Sequence, residues 1–147
     1  MAFEPRGSLT GDLTEALTNF IVSNTVIVTK GNSVTLVAGF VENASGDVAE
    51  DVLGVAASTV TGTSASVEVG VYCDPNLLYY NDADGDLATA DLGKVYRTLA
   101  GGAQIDQSTG AADSTQQYIL VKTDPDGDGD KSKGLFKPYR MLFNNRE

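Results

Sequence analysis

The feature that most constrains this chain is a two-residue alternation of side-chain character in the stretch SASVEVGVYCD. One set of alternate positions is apolar: Val67, Val69, Val71 and Cys73. The positions between them are polar, small or amphipathic: Ser66, Glu68, Gly70 and Tyr72. Because successive side chains of a β-strand point to opposite faces, the pattern predicts a strand with one buried and one wetter face. Such strands are typical of antiparallel sheets.

The same period recurs in short runs at residues 26–38 and 118–123, and an apolar run closes the chain. Turn signals separate these runs about every eight to twelve residues, which is the spacing of all-β sandwiches and barrels. We therefore predict an all-β fold, a small antiparallel barrel or sandwich that is β-tulip or jelly-roll-like, with an extended N-terminal arm. We assign residues 1–21 to the arm and residues 22–147 to the β domain.

The N-terminal arm permits three interpretations. Leu13, Leu17 and Phe20 recur at the spacing of one helical face, which predicts a short helix beginning near Thr10 or Asp12. The segment could equally be an extended arm that becomes ordered when it binds a partner. Alternatively, its apolar side chains cover the opening of the domain's own barrel.

Composition argues against several classes of function. The 147 residues suggest one domain, and 20 acidic against 10 basic residues give a formal net charge of −10 at pH 7. Phosphate backbones and anionic lipid surfaces attract basic proteins, so we expect neither nucleic acid nor membrane as a partner. The chain has no histidine, the usual general base near neutral pH, and we expect no enzymatic activity.

The start of the chain lacks the charged and apolar regions of a signal peptide. No apolar run approaches the roughly 20 residues that span a bilayer. Cys73 is the only cysteine, which makes an internal disulfide impossible and favours a buried free thiol. We therefore expect synthesis in a reducing cytoplasm.

The stretch DPDGDGDKSKG at residues 124–134 resembles half of an EF-hand loop. Alternate positions carry the candidate calcium ligands Asp124, Asp126, Asp128 and Asp130. The twelfth position is Leu135, where the EF-hand has a bidentate glutamate, and no helix signals flank the loop. Calcium is therefore a possible cofactor, and we otherwise expect none. The alternative is a solvated hairpin connection partly neutralised by nearby lysines.

Four short segments occur in an order that suggests a known family. They are KGN at residues 30–32, LGVA at 53–56, DP at 74–75 and ADLGK at 90–94. In this order they resemble the small capsid decoration proteins of tailed bacteriophages, also called cement proteins. No single segment is specific, and the ordered set carries a resemblance that covers residues 22–145.

This resemblance implies a structural virion protein on the capsid exterior that stabilises an expanded shell. It implies two partners, the major capsid protein and further copies of the chain, in a homotrimer at local threefold positions. The arm would supply the capsid-binding residues Phe3, Pro5, Arg6, Leu9, Leu13, Leu17 and Phe20. The family offers no catalytic residue.

Aromatic residues are enriched at subunit interfaces, which makes several of them candidates for the trimer interface. These are Tyr79, Tyr80, Tyr139 and Phe143, for which burial in the core is an equally open interpretation. A second hypothesis for the function is a calcium-stabilised extracellular adhesion or fibre module. It depends on the acidic loop binding the ion.

Overall fold

The computed structural model describes residues 2–9, 17–112 and 115–143. Within these ranges the chain forms thirteen strands and a single turn of 3₁₀ helix at Thr89–Asp91. The strands are β1 Glu4–Ser8, β2 Leu17–Ile21, β3 Ile27–Val28, β4 Ser33–Val37, β5 Phe40–Asn43, β6 Gly54–Ala56, β7 Val60–Thr61, β8 Glu68–Tyr72, β9 Leu77–Asp82, β10 Val95–Thr98, β11 Ile105–Ala111, β12 Tyr118–Thr123 and β13 Lys133–Pro138. No helix in the described residues is long and apolar enough to cross a membrane.

Two antiparallel sheets and a short ribbon make up the fold. The first sheet has six strands in the order β1-β9-β13-β12-β10-β11, and the second has five in the order β2-β8-β6-β4-β5. Strands β3 and β7 form the ribbon. The predicted all-β class is confirmed as a sandwich of open sheets, so the barrel alternative is wrong. An isolated parallel bridge joins Val22, just after β2, to Val41 in β5.

The inter-sheet core lies between the first sheet and one face of the second. The first sheet supplies most of its buried side chains, including Tyr79, Tyr118 and Phe136, and the β6 side supplies Val52 and Val55. The Tyr118 hydroxyl and the Ser33 hydroxyl are 2.7 Å apart, which links β12 of one sheet to β4 of the other. The sandwich is therefore joined by a buried polar contact as well as by apolar packing.

A second cluster, the valine core, packs on the other face of the second sheet. Its buried members are Val22, Val28, Val34, Val41, Leu53, Ala56, Val69 and Val71. Val55 lies in the inter-sheet core and its neighbour Ala56 in the valine core, as strand alternation requires. The second sheet is consequently covered on both faces.

Strand β8 follows the alternation predicted for it. Val69 and Val71 are buried in the valine core, Glu68 is exposed, and Tyr72 on the opposite face packs against the inter-sheet core. Cys73, just beyond the strand, is partly buried against the valine core.

The described parts of the predicted arm are strands of the two sheets. β1 forms the edge of the first sheet beside β9, and β2 forms the edge of the second beside β8. The predicted helix is wrong for residues 17–20, because their backbone pairs with β8 across the sheet. Residues 10–16, which include Leu13, lie outside the described residues. An arm extending away from the domain is not seen in the ranges that are described.

Candidate interaction surface

Phe3 was predicted to bind a capsid, but its side chain is only 3% exposed. Its ring stacks on Tyr118 with centroids 4.5 Å apart and meets Tyr79 edge-on at 6.0 Å. Its backbone N–H donates to the Gly31 carbonyl at 2.7 Å. Phe3 therefore completes the inter-sheet core of its own domain, which is the covering role that the sequence left open.

Arg6, a second predicted capsid contact, is engaged within the chain. Its Nη1 lies 3.2 Å from an oxygen of Asp126, and its Nε lies 3.3 Å from Glu4. The guanidinium carbon sits 4.3 Å from the centre of the Tyr80 ring, a cation–π distance. These contacts tie β1 to the acidic loop. Pro5, half-buried, lies opposite Tyr79 in the strand ladder.

Tyr79 and Tyr80 were candidates for a trimer interface, and both are buried within the chain. They are adjacent in β9 and point to opposite faces of the first sheet. Tyr79 faces the inter-sheet core, whereas Tyr80 is covered by Arg6 and by Lys133, whose Nζ lies 5.7 Å from the ring centre. Both rings are already covered by contacts within the chain. Core burial, the alternative interpretation, describes them both.

Two residues from different predicted sets meet at the surface. The rings of Phe20 and Phe143 stack with centroids 6.1 Å apart and planes 12° apart, and we call them the aromatic pair. Phe143 is 62% exposed, whereas Phe20 is half-buried against the valine core. Phe20 was predicted to bind the capsid and Phe143 to line a trimer interface. The fold brings the two onto one surface.

Other apolar side chains from the predicted sets are also exposed. They are Leu9, Leu17 and Tyr139, and Leu142 is exposed beside Phe143. Leu17 and Phe20 are three residues apart in β2 and therefore point to opposite faces of that strand. Leu17 accordingly does not extend the aromatic pair across the same face of the second sheet.

The sequence prediction missed an exposed apolar hairpin tip at residues 37–40. Val37 and Phe40 flank the turn and are 50% and 43% exposed. A cavity of about 300 Å³ separates the tip from β2, with Phe40, Ile21 and Thr63 among its lining residues. The signal in the sequence was VAGF, in which two large apolar residues flank a two-residue turn.

The acidic loop connects β12 to β13 as the hairpin alternative predicted. The Asp124 carboxylate accepts the backbone N–H groups of Asp128 and Gly129, each at 3.1 Å. The Asp130 carboxylate accepts the Ser132 hydroxyl at 2.7 Å, and this hydrogen bond lowers the pKa of Asp130. Since Asp126 pairs with Arg6, these carboxylates turn to different partners within the chain.

No three acidic or cysteine side chains among the described residues are grouped so as to hold a metal ion. The predicted ligands Asp124, Asp126, Asp128 and Asp130 thus do not form a calcium cage in this arrangement. A tight polar turn can be stabilised by hydrogen bonds between its own backbone amides and its carboxylates, without a bound ion. Calcium binding in solution stays a prediction.

Cys73 has the environment of a structural thiol. Burial raises the pKa of its thiol from 9.0 to about 11, so little nucleophilic thiolate forms near neutral pH. The Sγ lies 3.7 Å from the Val71 carbonyl oxygen. The Cys73 thiol is therefore a poor nucleophile in the folded chain.

Comparison with protein-family models finds no matching family. Comparison with curated proteins finds no match either.

Proposed function

We propose that this protein is a structural component of a tailed-bacteriophage head that binds the outer surface of the expanded capsid and stabilises it. In this proposal it acts as a homotrimer at local threefold positions, with the major capsid protein as its partner. It is made in the host cytoplasm and performs no enzymatic reaction. The ordered segments described above resemble those of capsid decoration proteins and favour this function over others.

The observation that carries the proposal is the exposed aromatic pair. Phe143 presents most of its ring to solvent on a chain whose net charge is −10, and exposed aromatic rings are typical anchors of protein interfaces. Strands β2 and β8 fix the position of Phe20 beneath it. The pair thus offers an apolar contact that a shell or a neighbouring subunit can cover.

The charge of the chain fits the same role. A strongly acidic protein stays soluble before it assembles, because like-charged copies repel one another. Many identical sites on a shell convert a weak single contact into strong overall binding. A contact as small as one aromatic pair therefore suffices when each trimer presents three copies of it.

The proposal is tested by sedimenting purified protein with expanded capsids that lack decoration protein. We expect co-sedimentation at a fixed ratio of copies and a trimer in light scattering. Phe143→Ser should weaken binding at least tenfold. The matched control is Val48→Ser, at another exposed apolar residue in the loop after β5, which should bind normally.

A monomeric wild-type chain that stays in the supernatant would contradict the proposal. Normal binding by Phe143→Ser would leave capsid binding in place and remove the aromatic pair as its contact. The calcium-stabilised adhesion module has no comparable support, since the acidic side chains turn to partners within the chain.

A further inference from the structure

The N-terminal strand β1 is an edge strand with one partner in its sheet. It lies at the edge of the first sheet and forms a ladder with β9 alone among the described strands. The ladder is interrupted by an irregularity between Pro5 and Gly7. Pro5 also removes one backbone donor, which is tolerated at a sheet edge. The strand therefore has a hydrogen-bonded sheet partner on one side only, and its ladder with that partner is interrupted.

One side chain anchors this strand in the core. Among residues 2–9 only Phe3 is buried, and its ring fills a slot formed by Tyr79 and Tyr118. The slot is closely matched to this segment, because a Cβ added to Gly31 at its mouth would overlap Ala2. A cavity of about 390 Å³ opens at the same mouth beside Phe3 and Lys30.

Polar contacts add selectivity for the same eight residues. Arg6 reaches Asp126 in the loop after β12 and covers the ring of Tyr80 in β9. The Leu9 N–H donates to the Asn76 carbonyl at 3.0 Å. An aromatic residue and, three positions later, an arginine thus make the main side-chain contacts of this segment.

We propose that the β9 edge and the Phe3 slot form a strand-acceptor site that takes residues 2–9 of a second copy of this chain. The occupant follows from the structure, since the segment that fits the site is present in every copy. Copies then join by exchanging β1, and each exchanged strand makes the contacts that it makes within one chain. A closed ring of copies loses none of these contacts.

The protein concentration determines whether β1 pairs with its own domain or with that of a second copy. A tethered segment competes at an effective concentration on the order of mM, so exchange in dilute solution is rare. Exchange grows as the protein concentration approaches that value, or as copies are held side by side. This inference concerns self-association and is independent of capsid binding, so either can fail alone.

The first experiment follows exchange by isotope labelling in the full-length chain. Arg6→Lys places an amine near the Asp126 carboxylate. A carbodiimide, which is a zero-length cross-linker, can join the two groups as an amide. Labelled and unlabelled copies of this variant are mixed in equal amounts at a concentration on the order of mM. They are warmed below the unfolding transition, and the cross-linked peptides are then analysed by mass spectrometry.

We expect about a quarter of the cross-links between residue 6 and Asp126 to join a labelled to an unlabelled peptide, because about half of the strands are exchanged at this concentration and half of those join unlike copies. A sample cross-linked immediately after mixing serves as the control and should contain almost none. If the warmed sample also contains only uniformly labelled or unlabelled pairs, β1 does not exchange and the proposal is wrong.

The second experiment measures the acceptor site directly with a synthetic peptide of residues 2–9. The chain carrying Phe3→Ala has an emptied slot, and we expect it to bind the wild-type peptide at least tenfold more tightly than the unaltered chain does. The same peptide with Phe3→Ala should bind at least tenfold more weakly. If Phe3→Ala does not fold, the isotope experiment, which leaves Phe3 in place, still decides the question. Equal binding of the two peptides to a folded variant would contradict the role of the slot.

Discussion

Among single residues, Phe3 shows how much one side chain contributes to an edge strand. Its ring is buried between Tyr79 and Tyr118, and removing a buried phenylalanine ring costs about 3–5 kcal/mol. We therefore expect Phe3→Ala to lower the free energy of unfolding by about that amount. Urea titration followed by tyrosine fluorescence measures the change.

The control for Phe3 is Leu9→Ala, at an exposed residue of the same N-terminal segment. Substitutions at exposed positions usually change stability by less than about 0.5 kcal/mol. If the two variants unfold at the same urea concentration, Phe3 is not part of the core in solution.

Alkylation of the Cys73 thiol tests whether this side chain is buried in solution. Burial raises the pKa of its thiol from 9.0 to about 11, so the thiolate fraction near pH 8 falls by about 100-fold. We expect iodoacetamide to modify the native chain at least tenfold more slowly than the urea-unfolded chain. Native and unfolded rates that agree within twofold would contradict this environment.

The same pKa shift gives Cys73 a defined effect on stability. The pKa is raised in the folded state, so the folded state holds the proton more tightly than the unfolded state does. Its contribution to stability is complete below about pH 9 and is lost as the pH rises towards 11. Cys73→Ala should therefore reduce the loss of stability over that interval.

At the scale of an element, the turn of the hairpin between β4 and β5 can be stabilised by a substitution. Ala38 and Gly39 have φ of 52° and 87°, both in the left-handed region that a type I′ turn requires. Alanine is strained there and asparagine is tolerated. We expect Ala38→Asn to raise the free energy of unfolding by about 0.5–1 kcal/mol. Thermal unfolding should show a higher midpoint, and Ala38→Val should lower it.

The acidic loop gives a second test at this scale. Its carboxylates are engaged by backbone amides, by Ser132 and by Arg6, with no cation required for these contacts. We expect EDTA to change the melting temperature by no more than about 1 °C. Removing calcium would lower the melting temperature only if calcium were bound to the native state. A fall of several degrees, reversed by added calcium, would favour the adhesion hypothesis.

The N-terminal elements show why local sequence was insufficient. Leu17 and Phe20 match a helical spacing, yet β2 pairs with β8 along its whole length. A strand partner supplies backbone hydrogen bonds that a short, uncapped helix would have to supply alone. Removing residues 1–20 would therefore delete β1 and most of β2, leaving the β9 and β8 edges unpaired.

At the scale of the whole molecule, the contact between Tyr118 and Ser33 couples the two sheets. Ser33→Ala leaves the buried Tyr118 hydroxyl without this partner and should cost about 1–3 kcal/mol. Tyr118→Phe removes the other half of the contact. We expect the double variant to be less destabilised than the sum of the single ones. Strict additivity in urea unfolding would show that the two sheets are not coupled here.

Much of the sandwich could be predicted because alternation is a local property. The faces of β8 and the hairpin around residues 124–132 follow from neighbouring residues alone. Tyr79, Tyr80, Tyr139 and Phe143 could not be separated in this way. All four are aromatic residues in or near strands, and only the packing of the sheets buries the first two and exposes the others.

The sequence by itself determined the all-β class, the buried faces of the alternating strands and the acidic character of the chain. These depend on residues a few positions apart and on charge counts. The tertiary structure decided that β1 and β2 belong to different sheets, that Phe3 is buried, and that Phe20 meets Phe143 across more than a hundred residues. Contacts between distant segments arise from burying apolar surface, which has no direction along the chain, so no local pattern specifies them.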